Sequence, residues 1–109
     1  MLLQSNLPKL FNASGLTIYP FIFMVNKDDK ALVAHETVHL NEQARCWVLP
    51  WWGMYLLSPS FRQAAEVRAY KAQIAAGANP LVCALWLANN YRLNITLDQA
   101  LELLTAPGA

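Results

Sequence analysis

Both histidines of this 109-residue chain lie in one stretch, His35-Glu36-Thr37-Val38-His39, and a single local conformation makes use of their spacing. On an α-helix, side chains four positions apart project from the same face. Two imidazoles so placed can bind one Zn²⁺, with the intervening glutamate beside the metal's water. Two histidines and four glutamates scattered at random would give this HExxH pattern on the order of once in a thousand chains. A helix through His35 and His39 is therefore the first demand on the fold, and a third ligand is the second.

Composition narrows the rest. A chain of this length forms one domain, 1–109, able to bury a core but too short for two lobes. Its net charge of +1, without any basic cluster, argues against electrostatic binding to nucleic acid. Hydrophobic residues make up 56% of it and charged ones 14%, yet no apolar run reaches the roughly 18 residues of a membrane span. The nearest candidate, Trp47 to Leu57, is broken by Pro50 and Gly53. Met1-Leu2-Leu3-Gln4-Ser5 has no basic region leading into a long apolar stretch, so the expected compartment is the cytoplasm. Cys46 and Cys83 form no CxxC unit and are expected as reduced thiols in the core.

Periodicity and breakers divide the chain. Residues 1–15 form a lead-in of mixed polarity, interrupted by Pro8 and Gly15. Leu16 to Val25 is rich in β-branched and aromatic residues and predicts a strand. Pro20 within it cannot donate to a ladder, which puts the strand at a sheet edge or gives it a bulge. Asn26 to Lys30 is a polar turn whose acids suit the positive end of a helix. Leu32, His35, Glu36, His39, Glu42 or Gln43, and Cys46 then recur at helical steps. They predict a helix from about Asp29 to Cys46 or Trp47, ended by Leu49-Pro50. Trp51 to Leu57 is an apolar connector of one or two helical turns. Ser60 and Gln63 have the form of a capping box for a helix over Phe61 to Ala75 or Ala76, with Gly77 just past its end. Pro80 opens a helix over Leu81 to about Tyr91, and Thr96 with Gln99 opens a short one through Leu103 or Leu104. Pro107 to Ala109 is a frayed tail. The expected class is α+β, mostly helical, with a small edge-strand element before the HExxH helix.

Catalytic zinc is usually held by three protein ligands and a water. A histidine six residues after His39 would serve, but that position is Arg45, so the third ligand has to be a carboxylate or a cysteine. Glu66 is the strongest candidate. It lies mid-helix among Ala64, Ala65, Ala69 and Ala72, small side chains that let this helix approach the metal helix closely. The result is a His₂Glu site of His35, His39 and Glu66. A competing reading makes Glu66 a surface residue paired with Arg62 or Tyr70. Glu42, three residues after His39, is the runner-up ligand, but it points along its own helix and better suits the surface or a supporting role on a histidine's other ring nitrogen. Asp28 and Asp29 are better explained as caps. Cys46 is about three turns from His35, too far to share the ion.

Such a site performs metal-assisted hydrolysis. Zinc acidifies its water and polarises the scissile carbonyl, and Glu36 carries the proton from that water to the leaving amine. An oxyanion stabiliser is also expected. Tyr70, one turn beyond Glu66, can supply a phenol, with Tyr55 of the connector as the alternative. Either is otherwise a buried aromatic with a satisfied hydroxyl.

From Leu32 to about Gln73 the chain resembles gluzincin-type zinc metallopeptidases, in which HExxH is joined by a glutamate of a following helix, often within ExxA. The matching residues are His35, Glu36, His39 and Glu66, with Ala69 completing Glu-Val-Arg-Ala. The likeness is nearest to minimal phage- or bacterium-encoded peptidases built as an edge strand, an HExxH helix, an aromatic connector and a Glu-x-x-Ala-Tyr helix. It implies a minimal zincin-like domain that binds Zn²⁺ and a metalloendopeptidase acting on a peptide or protein substrate. The strand around Ile18 to Val25 would then pair with an extended peptide, and Trp47, Trp51, Trp52 and Tyr55 would set selectivity. Two features depart from the pattern. Glu42 stands where a glutamine is common, with Gln43 next, and the chain lacks a large C-terminal subdomain to wall the cleft.

Two other readings stay open. A catalytically weak or inactive zinc-binding interaction or structural module, derived from such a peptidase, fits the small size but has no use for Glu36. Alternatively HExxH is fortuitous and the chain is an apolar helical interaction domain. The Trp-rich connector is a candidate contact for a second copy or a protein partner.

Overall fold

In the computed structural model, which describes residues 1–106, Pro20 turns the chain instead of bulging a strand. The stretch expected as one strand is a hairpin. The chain starts with β1 (Leu2–Gln4) and a 3-10 helix (Leu7–Phe11), then enters β2 (Gly15–Ile18) and β3 (Phe21–Met24). Tyr19 and Pro20, joined by a cis bond, form the corner. This suits a residue that fixes φ and has no N–H to give a ladder. β2 runs antiparallel to β3, with Ile18 opposite Phe21. β1 runs parallel to β3 and went unseen in the sequence because three residues are too short to show a period. The sheet order is β1-β3-β2, so β2 lies at an edge and β3 is central.

The HExxH helix is α1 (Lys30–Cys46), capped by the Asp29 carboxylate, which accepts from the Leu32 N–H at 3.1 Å. It ends at Cys46, as expected, but the φ of 70° at Trp47 stops it and not Leu49-Pro50. Pro50 instead sits in the first turn of α2 (Val48–Leu57), where a backbone N–H has no intrahelical partner to lose. The connector is thus a ten-residue helix, longer than the one or two turns expected.

Ser58, not Ser60, caps the next helix, α3 (Pro59–Ala75), by accepting from the Phe61 N–H. Pro59 explains the shift, since its fixed φ favours the first helical position. Asn79 caps α4 (Pro80–Asn90), and Thr96 with Gln99 forms a complete capping box on α5 (Leu97–Thr105), both at the expected places. The expected tail at Pro107 to Ala109 lies outside the described residues.

α1 packs most extensively on α3. Ala65 and Ala69 are fully buried, which is how small side chains bring two helix axes close. α3, α4 and α5 enclose a second core of Tyr70, Cys83, Leu87, Ala100 and Leu104. Cys83 is buried as expected, whereas Cys46, expected in the core, is exposed at the end of α1. Among the described residues, no helix is long and apolar enough to cross a membrane. The fold is α+β and mostly helical.

Candidate metal centre

α1 supplies His35 and His39 one turn apart, and α3 brings Glu66 across to them. Glu66 Oε1 lies 3.1 Å from His35 Nε2 and 3.2 Å from His39 Nε2. Tetrahedral zinc ligands at about 2.0–2.2 Å from the ion stand roughly 3.3–3.6 Å from one another. The three side chains, 3–5% exposed, are therefore close to coordinating distance already. This buried group could bind a metal ion.

Outer contacts orient each ligand. The Tyr55 hydroxyl donates to Glu66 Oε2, which leaves Oε1 for the imidazoles. Gln73, two turns beyond Glu66, has Oε1 2.8 Å from His35 Nδ1. An amide oxygen only accepts, so this contact places the ring proton on Nδ1 and frees Nε2 as a ligand. His39 Nδ1 has no hydrogen-bond partner, and Glu42 Oε1 stands 3.8 Å from it. Glu42 accepts instead from Arg68 Nε at 2.5 Å and Trp51 Nε1 at 3.3 Å. It is a neighbour of the site and not a ligand. Arg62 donates to the Tyr91 and Tyr55 carbonyls, so Glu66 pairs with neither Arg62 nor Tyr70.

Electrostatics follow from this packing. Burial disfavours charge on His39, but the facing Glu66 carboxylate outweighs it and raises the pKa to about 10. Burial likewise works against the Glu66 carboxylate, yet His39 and His35 hold its carboxyl far below the usual range. For Glu42, burial is overcome by His39 and Arg68, and its pKa is lowered.

Glu36 lies between the sheet and His35. Its Oε1 accepts from the Thr17 hydroxyl at 2.9 Å, and its Oε2 lies 3.7 Å from His35 Nε2. Gly15 makes room for it. A Cβ there would fall 3.0 Å from Glu36 Cγ and Cδ, so the carboxylate side chain would have to shift to admit it. Gln43 ties the same strand to α1. Its Nε2 donates to the Thr17 carbonyl at 2.9 Å, and its Oε1 accepts from the Tyr19 N–H at 2.8 Å.

A cavity of about 360 Å³ opens beside Glu36. His35, Glu36, Tyr70 and Gln73 line it, between residues 11–15 on one side and α4 on the other. His39 and Glu66 are not among its lining residues. The Tyr70 ring meets His35 edge-on at 4.3 Å between centroids, and its hydroxyl lies 2.6 Å from that of Tyr91. Burial pushes both phenols up, with Glu66 adding to the effect, so both stay protonated. Tyr55, the alternative oxyanion partner, has its proton engaged by Glu66.

Four contributing residues went unnoticed or unassigned in the sequence. Gln73 is seven positions after Glu66 and Gln43 four after His39, spacings that repeat a helix face and could have marked them. Thr17 and Tyr91 carry no such signal. No protein-family model, curated protein or solved structure matches the chain.

Proposed function

We propose that the protein is a zinc-dependent hydrolase of peptide bonds, with His35, His39 and Glu66 as ligands and Glu36 as general base. One observation carries this reading: a buried carboxylate that no metal site needs for binding, Glu36, is held beside the ligand set in the wall of a cavity. Two imidazoles and a carboxylate suit zinc among the divalent ions. A zinc ion so held supplies Lewis acidity to a carbonyl and lowers the pKa of a water.

Glu36 takes the proton of the attacking water on Oε2 and delivers it to the leaving nitrogen. Thr17 occupies Oε1, so the free oxygen is the one nearer His35. Tyr70 and Tyr91 share one hydrogen bond between two hydroxyls, which leaves one O–H to donate to the oxygen that gains charge.

A second reading, a zinc-binding module with little turnover, draws on the burial of all three ligands, since structural zinc sites are closed. Elemental analysis of wild type and Glu66→Ala, followed by peptide hydrolysis by zinc-loaded wild type and Glu36→Gln, separates the two. Zinc with hydrolysis that depends on Glu36 supports the hydrolase. Zinc without hydrolysis supports the module, and the absence of zinc from a protein offered it removes both.

A further inference from the structure

We infer that substrate enters this site by one end: the protein takes an apolar amino-terminal residue, not the interior of a chain laid across the metal. This deepens the hydrolytic reading above and rests on it.

Cleavage within a chain needs room for extended peptide on both sides of the reacting carbonyl, at about 3.3 Å per residue. Here one side is filled. The His39 ring packs on Trp51, which is 2% exposed, at 5.4 Å between centroids. Tyr55 stacks on Trp51 at 4.9 Å and bonds Glu66.

The edge of β2 offers no alternative path. The Ser14 carbonyl accepts from the Val25 N–H, so by antiparallel alternation Gly15, Thr17 and Tyr19 turn their backbone groups away from β3. Gln43 takes the Thr17 carbonyl and the Tyr19 N–H, so of the three only Gly15 keeps both backbone groups unclaimed, and Gly15 lines the cavity. A substrate strand therefore finds one residue of wholly free edge, on the cavity side.

The cavity also limits what can enter. At about 360 Å³ it is near the small end of ligand pockets, which span about 300–1,000 Å³. Phe11, Val82 and Trp86 line it while remaining 42–66% exposed, a rim suited to an apolar side chain. Among the described residues no lysine or arginine lines it, and its two carboxylates are Asp29 and Glu36. A terminal carboxylate would be desolvated there without a counter-charge, whereas an ammonium group finds acceptors.

The test uses zinc-loaded full-length protein and one apolar peptide in four forms: free, N-acetylated, C-amidated and blocked at both ends. Products are identified by mass. The free and C-amidated forms should lose their first residue at similar rates, and acetylation should slow this about ten- to a hundredfold, as for loss of a charge-assisted hydrogen bond. Internal cleavage of the doubly blocked peptide at a comparable rate, or release of the last residue, overturns the inference and leaves the peptidase reading intact. Calorimetric titration with leucine hydroxamate and N-acetyl-leucine hydroxamate gives a second readout. Tighter binding of the free amine, even with no hydrolysis of any peptide, supports the pocket while sinking the hydrolase. Equal binding, or binding of neither, overturns the pocket.

Discussion

Thr17 on β2 holds Glu36 on α1 through a 2.9 Å hydrogen bond to Oε1, and the same hydroxyl lies 3.2 Å from the Glu36 carbonyl. The proposed base is thus oriented from the sheet, across the interface that its own helix makes with the edge strand. Thr17→Val keeps the shape and removes the donor. It should lower kcat about tenfold or more with zinc content unchanged, at a stability cost of about 1 kcal/mol. Kinetics and elemental analysis on one preparation check this. A parallel loss of zinc would mean that the bond serves the metal and not the base.

Glu36→Gln should keep zinc and fold while lowering hydrolysis by about 10²–10⁴-fold, the usual weight of a general base. Zinc per chain, circular dichroism and single-turnover rates decide it. Undiminished activity would remove Glu36 from the mechanism.

Tyr55→Phe deletes the donor on Glu66 Oε2 and spares all three ligands. Zinc affinity should fall about 10–100-fold, measured by competition with a chromogenic chelator. Glu66→Ala should abolish high-affinity binding. It should also abolish the zinc-dependent rise in Tm, which in the wild type reflects about 4 kcal/mol at a thousandfold excess over Kd.

The His39–Glu66 pair makes the metal-free protein pH-sensitive on two sides. His39 has a raised folded pKa, about 10, because Glu66 outweighs burial. Its contribution to stability is complete below its ordinary value of 6.5 and lost as pH climbs through about 10. Glu66 has a depressed folded pKa, with burial overcome by the two histidines. Its contribution is present above its ordinary 4.5 and lost as pH falls. Melting in EDTA should therefore show a plateau between these two ordinary values and a decline on either side. Zinc has to displace the His39 proton, so its affinity should strengthen about tenfold per pH unit between about pH 7 and 9. A pH-independent affinity over that range would contradict the pairing.

Trp47 joins α1 to α2 with φ 70° and ψ 145°, a backbone region that costs a non-glycine residue about 1–3 kcal/mol. Its ring is 78% exposed and recovers little by packing. Trp47→Gly should raise stability by about 1 kcal/mol and Tm by several degrees. An unchanged or lower Tm would show that the ring makes compensating contacts.

The helical part of this fold was legible because it is written in local rules. The Asp29 cap, the Asn79-Pro80 start and the Thr96–Gln99 box each act within one turn. The errors arose where a single proline admitted two readings. Pro20 fits both a bulge and a corner, and only the partner strand decides between them. Pro50 fits both the end of one helix and the first turn of the next, and the φ of Trp47 decides that. The buried trio was legible as well, since His35 and His39 share one helix face and Glu66 is the acid set among small residues. Its supports were harder to see, because Thr17, Gln43, Gln73 and Tyr91 act across 19 to 38 positions, and only Gln43 and Gln73 carry a helix-face spacing that hints at a role.

The side chain of Gln43 also decides where the sheet ends. In a chain with 56% hydrophobic residues, a bare strand edge beside the exposed Ile18 and Tyr19 would be a template for another copy to extend, strand upon strand. One amide stands in for that missing neighbour, its oxygen and nitrogen filling the places of a backbone C=O and N–H. The helix that carries His35 and His39 thereby covers part of the β2 edge that another strand would use.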